Sequence, residues 1–420
     1  MSKLVVEGGV PLHGHVQVSG GKNSALALIV AAALAEGPCL LHNVPDEIDV
    51  HTIGEILRAL GVKVEFRPDR NEAVIDGSTL NGFQAPYELV RRMRASFYVA
   101  GLLLARLGKA EVPLPGGCSL GSRPVDFHIK GFQALGAEVN IAHGLMQAEA
   151  RRLTGTKIFI NRSSVGATIN LMLAASLAEG TTVLENAAKE PEVVDLAIFL
   201  NGMGAKIRGA GTNVIKIEGV PRLSGTEYTI IPDRIEAGTL MIAAAITGGD
   251  VWVEDVVPEH VRAAVLNLQE AGVKVEEEPT RLHVVAQGRP RAVDAETAPY
   301  PGFPTDLQQP FVALMSVAEG TSIVRETIFD RFRYVDELRR MGADIKVERD
   351  TAIVRGVERL TGAPVEATDL RAGAALLLAG LAASGTTEIS GVEHIDRGYE
   401  RLDEKLRCLG ARIQRVVEPA

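Results

Sequence analysis

Lys22, Arg94 and Arg371 each stand at the start of an otherwise apolar, Ala- and Leu-rich run. A cation there opposes the partial positive charge of a helix N-terminus, so something anionic must compensate it. The partner is either a neighbouring acid of the chain or a ligand carrying phosphate or carboxylate groups, which the free N–H groups of helix starts also suit. Comparable runs open with Asn23, Ser96, Ser164, Gly166, Asp233, Glu236, Asp306 and Asp369. For the Asn, Ser and Asp residues among these the ordinary reading is a helix cap, worth about 1 kcal/mol each.

A second kind of chemistry is offered by Cys118. It lies in VPLPGGCSLGSRPVDFH, from Val112 to His128, where three Gly and three Pro prevent a regular helix or strand through the centre. A thiol in such a loop, five residues before Arg123, has the access and electropositive setting of a reactive cysteine. Its exposure and pKa decide between that reading and an inert loop residue. Cys39, in a strand run, and Cys408, on an outer helix, read instead as small hydrophobes. No CxxC spacing suggests zinc or a disulfide framework, so no metal is expected and a reducing cytoplasm fits.

The elements that position these residues repeat. LGVKVEF, LGAEVNI, MGAKIRG, AGVKVEE, MGADIKV and LGARIQR place Gly61, Gly136, Gly204, Gly272, Gly342 and Gly410 between 68 and 75 residues apart. One unit of about 70 residues therefore occurs six times. A second phrase keeps step with it: AEGPCLL, RLGKAEV, AEGTTVL, TGGDVWV, AEGTSIV and ASGTTEI, each after an apolar run. The pattern predicts an inner helix ended by a left-handed Gly, a strand, an amphipathic outer helix, a Gly turn and two strands. Runs such as ALALIVAAALA and GAALLLAGLAA are apolar on nearly every face and require burial all round. The expected class is α/β (α+β), with buried inner helices wrapped by sheets and outer helices.

Composition narrows the partners. At 420 residues and 46% hydrophobic content the chain supports two domains. A net charge of -9 argues against nucleic acid or an anionic membrane as the main partner. The apolar stretches Ala25 to Ala35 and Ala372 to Ala383 fall short of the ~20 residues needed to cross a bilayer, and the N-terminus lacks a secretory core. SGGKNS lacks the first Gly and the Ser/Thr of a P-loop, and NGMGAKIRG follows no strand, so neither is a nucleotide fingerprint. His13 and His15 share a strand face without a third ligand.

PGGCSLGSRPVDFH, with SGGKNSAL, MRASF, SSVGATINLMLAA, PDRIEAGT, FPTDLQQPF, ATDLRAGAALLLAG and HIDRGYERLDEKLRCLGA, resembles the UDP-N-acetylglucosamine 1-carboxyvinyltransferases of the enolpyruvyl transferase family. The resemblance covers essentially the whole chain. It implies two inside-out α/β, barrel-like domains of three repeats each, 1–20 with 231–420 and 21–230, with the active site between them. It also implies transfer of the enolpyruvyl group of phosphoenolpyruvate to UDP-N-acetylglucosamine without a cofactor, as a step of cell-wall precursor synthesis.

By the matching motifs, Lys22, Asn23, Arg123, Arg371 and Arg397 would hold phosphoenolpyruvate, whose phosphate and carboxylate suit guanidinium forks. Cys118 would be the general acid and form a covalent phospholactoyl adduct, open to alkylation by an epoxide such as fosfomycin. Asp306 would accept or position the hydroxyl proton, and Asp369 would be a second acid near the reacting centre. For the sugar nucleotide the pattern carries over to Asn23, Arg94, Arg123, Pro124, Val125, Asp126, Phe127, Arg162, Ser163, Ser164, Val165, Gly166, Asp306, Ile328, Phe329 and Arg331. The loop bearing Cys118 and Arg123 would close as a lid on the sugar nucleotide, which would then protect it from proteolysis.

The chain departs from the pattern in places. IFDRF is one residue shorter than usual before Arg331, Arg162 replaces a frequent Lys, and Ile48 stands where some members carry a basic residue. Three rivals remain at this level: a 5-enolpyruvylshikimate-3-phosphate synthase, which lacks the cysteine loop; a non-catalytic UDP-sugar-binding paralogue; and a plain repeat protein.

Overall fold

The computed structural model describes residues 2–115 and 125–417, so Cys118, Arg123 and Pro124 lie outside the described residues. The chain divides into two compact units, changing from one to the other after Ser19 and again after Ile231. The terminal unit holds both chain ends, and the inserted unit holds the residues between the crossings.

Each unit is built on three inner helices. In the inserted unit these are Lys22–Ala32, Val99–Leu107 and Val165–Ala175; in the terminal unit, Arg234–Thr247, Gln308–Met315 and Leu370–Ala382. Their Ala, Leu, Ile and Val side chains are almost all buried and form one continuous core per unit. At about 25 cal/mol per Å² of apolar surface, that burial dominates the stability of these helices. Among the described residues no helix is long and apolar enough to cross a membrane.

After each of the first five inner helices comes a strand, an outer helix and an antiparallel strand pair. In the sheet containing Asp250–Glu254, Arg281–Val285 and Lys274–Glu278, Val251 pairs with Val284 and Val253 with Leu282. These inward residues alternate with exposed or half-exposed ones at the two-residue period of a half-buried strand. All six predicted turn glycines, Gly61, Gly136, Gly204, Gly272, Gly342 and Gly410, have φ between +89° and +102°. A left-handed residue is what stops an outer helix and turns the chain into its strand, and Gly takes it without strain.

Four expectations are corrected. First, only Gly108 and Gly248 cap an inner helix directly in the left-handed conformation. Gly180, Gly320 and Gly385 have positive φ but sit farther on, and Gly37 does not have it at all. The helix ahead of Gly37 ends by tightening to i→i+3 bonds, Ala33 to Val30 and Leu34 to Ala31, which satisfy the last carbonyls without a glycine. Second, each sheet gains a parallel partner at one edge that the repeat did not predict, such as Lys157–Phe159, Glu227–Thr229 and Pro364–Glu366. These are three residues long, too short for a periodicity to mark them; in the Lys109–Pro113 sheet the edge is a single bridge from Gln84 to Glu111. Third, the outer helix Pro191–Gly202 is buried on almost every side, because it packs on Lys22–Ala32 rather than lying at the surface. Fourth, Cys408 at the end of its outer helix is exposed, whereas Cys39 is buried and burial pushes its thiol pKa up.

The sixth repeat lacks a strand of its own, and the N-terminus supplies it. Ser2–Glu7 inserts between Thr386–Ser390 and Arg412–Val417, pairing Leu4 with Ile389 on one side and Arg415 on the other. The sheets stay separate, so the units are α/β without a closed barrel.

Candidate active site

The start of Lys22–Ala32 is fixed by what precedes it. A Cβ on Gly20 would lie 1.7 Å from the Asn43 carbonyl oxygen, so only glycine lets the chain pass there. Lys22 follows, buried, its Nζ 3.7 Å from Asp49 Oδ2 in the first turn of Ile48–Ala59. The anionic partner demanded by Lys22 is thus present in the chain. Asn23 is half-buried beside it.

Behind this helix start, Asp195 of Pro191–Gly202 takes hydrogen bonds from the Ser24 hydroxyl, the Tyr228 hydroxyl at 2.6 Å and the Ile231 amide at 3.5 Å. Burial raises the Asp195 pKa, against the opposing pull of these donors. The terminal unit does the same at the other crossing. Glu236 accepts from the Ser19 amide at 2.7 Å and from the Lys405 ammonium. Its pKa is also raised by burial, with Lys405 opposing. Glu236, singled out in the sequence only as a polar residue at a helix start, holds the entering chain.

The other predicted contacts of the inserted unit meet through one buried amide. Asn170, the amide side chain of the apolar helix Val165–Ala175, donates to the Phe97 carbonyl and to His128 Nδ1, each at 2.9 Å. It also accepts from the Gly101 amide at 2.7 Å. These bonds tie the turn Arg94–Tyr98 and the helix Asp126–Ala134 to the helix starting at Val165. Because Nδ1 accepts, His128 is neutral with its proton on Nε2. Burial, reinforced by Arg94, holds its pKa down at about 3.

Gly166 lies against the same ring, since a Cβ there would meet His128 Cε1 at 3.4 Å. Ser164 caps its helix, accepting from the Ala167 amide at 3.3 Å. Arg162 is exposed, Ser163 and Val165 are half-buried, and Val125 is buried. Asp126, in the first helical turn, lies 3.9 Å from Lys130. Phe127, Lys130, Lys157, exposed Phe159 and Asn161 line an open groove beside these two helix starts.

The terminal unit gathers the remaining residues into a charged cluster. Asp306 lies in the turn Thr305–Leu307 that leads into Gln308–Met315. Its Oδ1 accepts from Arg331 Nη1 at 2.6 Å and its Oδ2 from Arg371 Nη2 at 3.1 Å. Both guanidiniums are buried. The Arg371 guanidinium sits over the Tyr399 ring at 4.9 Å and donates to the Gly398 carbonyl at 3.3 Å. Burial opposes the Arg371 charge, but Tyr399 and Asp306 outweigh it and raise its pKa above the ordinary arginine value.

Asp369 caps Leu370–Ala382, with Oδ1 accepting from the Arg371 and Ala372 amides at 2.9 and 3.0 Å. Its Oδ2 takes a bond from Gln309 at 3.3 Å. The cap by itself accounts for an acid at this position. Arg397 sits half-buried in the turn after Val392–Ile395. Asp396 before it is clamped by Arg415 at 2.8 and 2.9 Å, and Gly398 after it is held by Arg371.

The structure therefore brings together Asp306, Arg331, Arg371, Asp369 and the Arg397 turn in one unit. In the other it brings together Arg94, Val125 to Phe127 and Arg162 to Gly166. Arg331, read from sequence as a sugar-nucleotide contact, is a buried partner of Asp306 and of the Thr305 carbonyl at 2.9 Å. Sequence reading missed Asp49, Asn170, His128, Gln309 and Tyr399. An amide side chain inside an apolar helical run was the available signal for Asn170.

The comparisons with known proteins agree from end to end. The pattern of the family described as EPSP synthase (3-phosphoshikimate 1-carboxyvinyltransferase) matches residues 6–406. UDP-N-acetylglucosamine 1-carboxyvinyltransferase 2 of Symbiobacterium thermophilum is 58% identical over 418 residues, covering 99% of this chain and 98% of its own. UDP-N-acetylglucosamine 1-carboxyvinyltransferase 3 of Caldanaerobacter subterraneus subsp. tengcongensis is 55% identical over 419 residues, covering both chains fully. Among solved structures, the enolpyruvyl transferase NikO from Streptomyces tendae superposes with a TM-score of 0.90 at 28% identity, covering 100% of this chain and 99% of its own. With full-length relatives at this identity, the chain belongs to the enolpyruvyl transferase family and, within it, to the UDP-N-acetylglucosamine 1-carboxyvinyltransferases.

Proposed function

We infer that this chain transfers the enolpyruvyl group of phosphoenolpyruvate to the 3'-hydroxyl of UDP-N-acetylglucosamine, releasing phosphate, as the first committed step towards peptidoglycan precursors. The observation that carries this is identity above one half, over the full chain, to relatives bearing that activity in their names.

The residue roles follow from charge and reach. Phosphoenolpyruvate brings a phosphate and a carboxylate, and we assign Lys22, Asn23, Arg123, Arg371 and Arg397 to hold them. The hydroxyl oxygen bonds to the substituted carbon of the double bond while a proton is added to its methylene carbon. Cys118 supplies that proton and can itself add to the same carbon as a phospholactoyl adduct. Asp306, fixed between two guanidiniums, receives or orients the hydroxyl proton, and Asp369 supports Arg371 from the helix cap. Breaking the carbon–oxygen bond to phosphate, with loss of a proton from the methyl group just formed, restores the double bond. Arg94, Val125 to Phe127, Arg162 to Gly166, Ile328 and Phe329 would take the sugar nucleotide, with Arg123 and Pro124 contributing from the loop. We place the protein in the cytoplasm, where free Cys39 and exposed Cys408 stay reduced.

The test is phosphate release from phosphoenolpyruvate with purified protein, comparing UDP-N-acetylglucosamine and shikimate 3-phosphate as acceptors. Release with the sugar nucleotide is expected. Release with shikimate 3-phosphate alone, or with neither, overturns the reading. Cys118→Ala should then abolish turnover with unfolding unchanged, and an active variant would remove Cys118 from the chemistry.

A further inference from the structure

Glu326 has no part in the chemistry assigned above, yet it is buried and fully engaged. It follows the strand Thr321–Arg325. Its Oε1 accepts from the Ile328 amide at 2.8 Å, the Phe329 amide at 3.1 Å and the Thr297 hydroxyl at 2.9 Å. Its Oε2 accepts from the Thr305 hydroxyl at 2.8 Å. Thr297 is bonded in turn to Thr327, accepting its amide at 2.9 Å and taking its hydroxyl on the carbonyl at 2.6 Å. A buried carboxylate is costly unless donors surround it, and four donors surround this one.

The bonds run on to Asp306. The Thr305 hydroxyl donates its hydrogen bond to Glu326 and so turns a lone pair to Arg331. Arg331 Nη1 lies 3.2 Å from that hydroxyl and donates to Asp306 Oδ1. One side chain thus ties segment 327–329 and the Thr305–Asp306 turn into a single piece.

We propose that Glu326 is a positioning residue for enolpyruvyl transfer, acting through Thr305 and Arg331 to set the Asp306 carboxylate and through two backbone amides to set Ile328 and Phe329. This rests on the function inferred above. Glu326→Gln keeps an oxygen for the two amides but puts an N–H opposite Thr305, so the hydroxyl loses its acceptor and Arg331 its fixed partner. Thr305→Val deletes the link alone at nearly the same volume.

The experiment measures kcat and KM for both substrates, by phosphate release, in the full-length wild type, Glu326→Gln, Thr305→Val and the double variant, with thermal unfolding alongside. Each single change should lower kcat by about tenfold to a hundredfold, the scale of a small misplacement of a reacting group. KM for phosphoenolpyruvate should stay within about twofold, and the double variant should be no worse than the poorer single one within about threefold, because one chain of bonds is cut twice. Folded variants with unchanged kcat, or losses that multiply, overturn the positioning role. If Glu326→Gln does not fold, Thr305→Val decides alone by the same kcat criterion. A wild type that releases no phosphate with the sugar nucleotide overturns the functional reading instead, and the positioning role with it.

Discussion

The two units share one scaffold and spend their buried polar groups differently. In the terminal unit the interior cations face carboxylates, Arg331 and Arg371 on Asp306 and Lys405 on Glu236, while buried Glu326 is held by hydroxyls and amides. In the inserted unit the corresponding work falls largely to neutral groups. Asn170 and neutral His128 bridge the helix starts, and hydroxyls rather than a cation face Asp195, with Lys22 and Asp49 forming a buried ion pair nearby. A charge pair fixes geometry strongly but fails badly when one partner goes, whereas a neutral bridge costs less to break.

Removing the central acid of each unit tests that contrast most severely. Asp306→Ala strands two buried guanidiniums, which cannot shed their charge, and should cost about 3–5 kcal/mol in denaturant unfolding along with turnover. Asp49→Ala takes one carboxylate from beside a single ammonium and should cost about 1–3 kcal/mol. Equal losses would remove the distinction.

Acid should act next, and on the inserted unit. His128 is held neutral in the folded state, its pKa at about 3 against an unfolded value near 6.5. The unfolded chain therefore binds the extra proton between these values. That stability is present above about pH 6.5 and is lost at about 1.4 kcal/mol per unit as pH falls towards 3. His128→Gln should flatten this slope, read from unfolding midpoints between pH 7 and 4; an unchanged slope would place the acid sensitivity elsewhere.

The terminal unit should respond to base once its cation is removed. Lys405→Met leaves Glu236 buried without its ammonium, raising a pKa that burial already raises. A raised carboxyl pKa gives stability that is full below the unfolded value and lost as pH rises through the folded one. The variant should therefore cost about 1–3 kcal/mol at pH 8 and less at pH 5. A penalty independent of pH would mean that Glu236 stays in one protonation state throughout.

The smallest effect should be the same in both units. Gly204 and Gly410 occupy equivalent turns with φ of +102° and +97°, and a Cβ at either would meet nothing within 4 Å. Gly→Ala at each should cost only the backbone strain, about 1 kcal/mol. A difference larger than that would show that the shared frame is not equally rigid.

Much of the frame was legible because its signals are local. Left-handed turns need glycine for steric reasons, half-buried strands alternate every two residues, and helices buried all round must be apolar all round. Those rules alone determined six repeats, the inner and outer helices, and which polar residues stand at helix starts. The three-residue parallel edges escaped because their pairing is with distant chain and leaves no period. The loop around Cys118 was legible only through its composition and its resemblance to a family.

Which charge meets which was decided by the tertiary structure. Lys22 finds Asp49, Arg371 finds Asp306 across 65 residues of chain, and Ser2–Glu7 completes a sheet begun near residue 386. Cations at helix starts announce that an anion is required, but an ion pair depends on separation in space and on burial, and neither is written in the spacing of residues. Packing the apolar helices first is what brings these groups within reach, so the sequence specified the need and the folded core specified the partner.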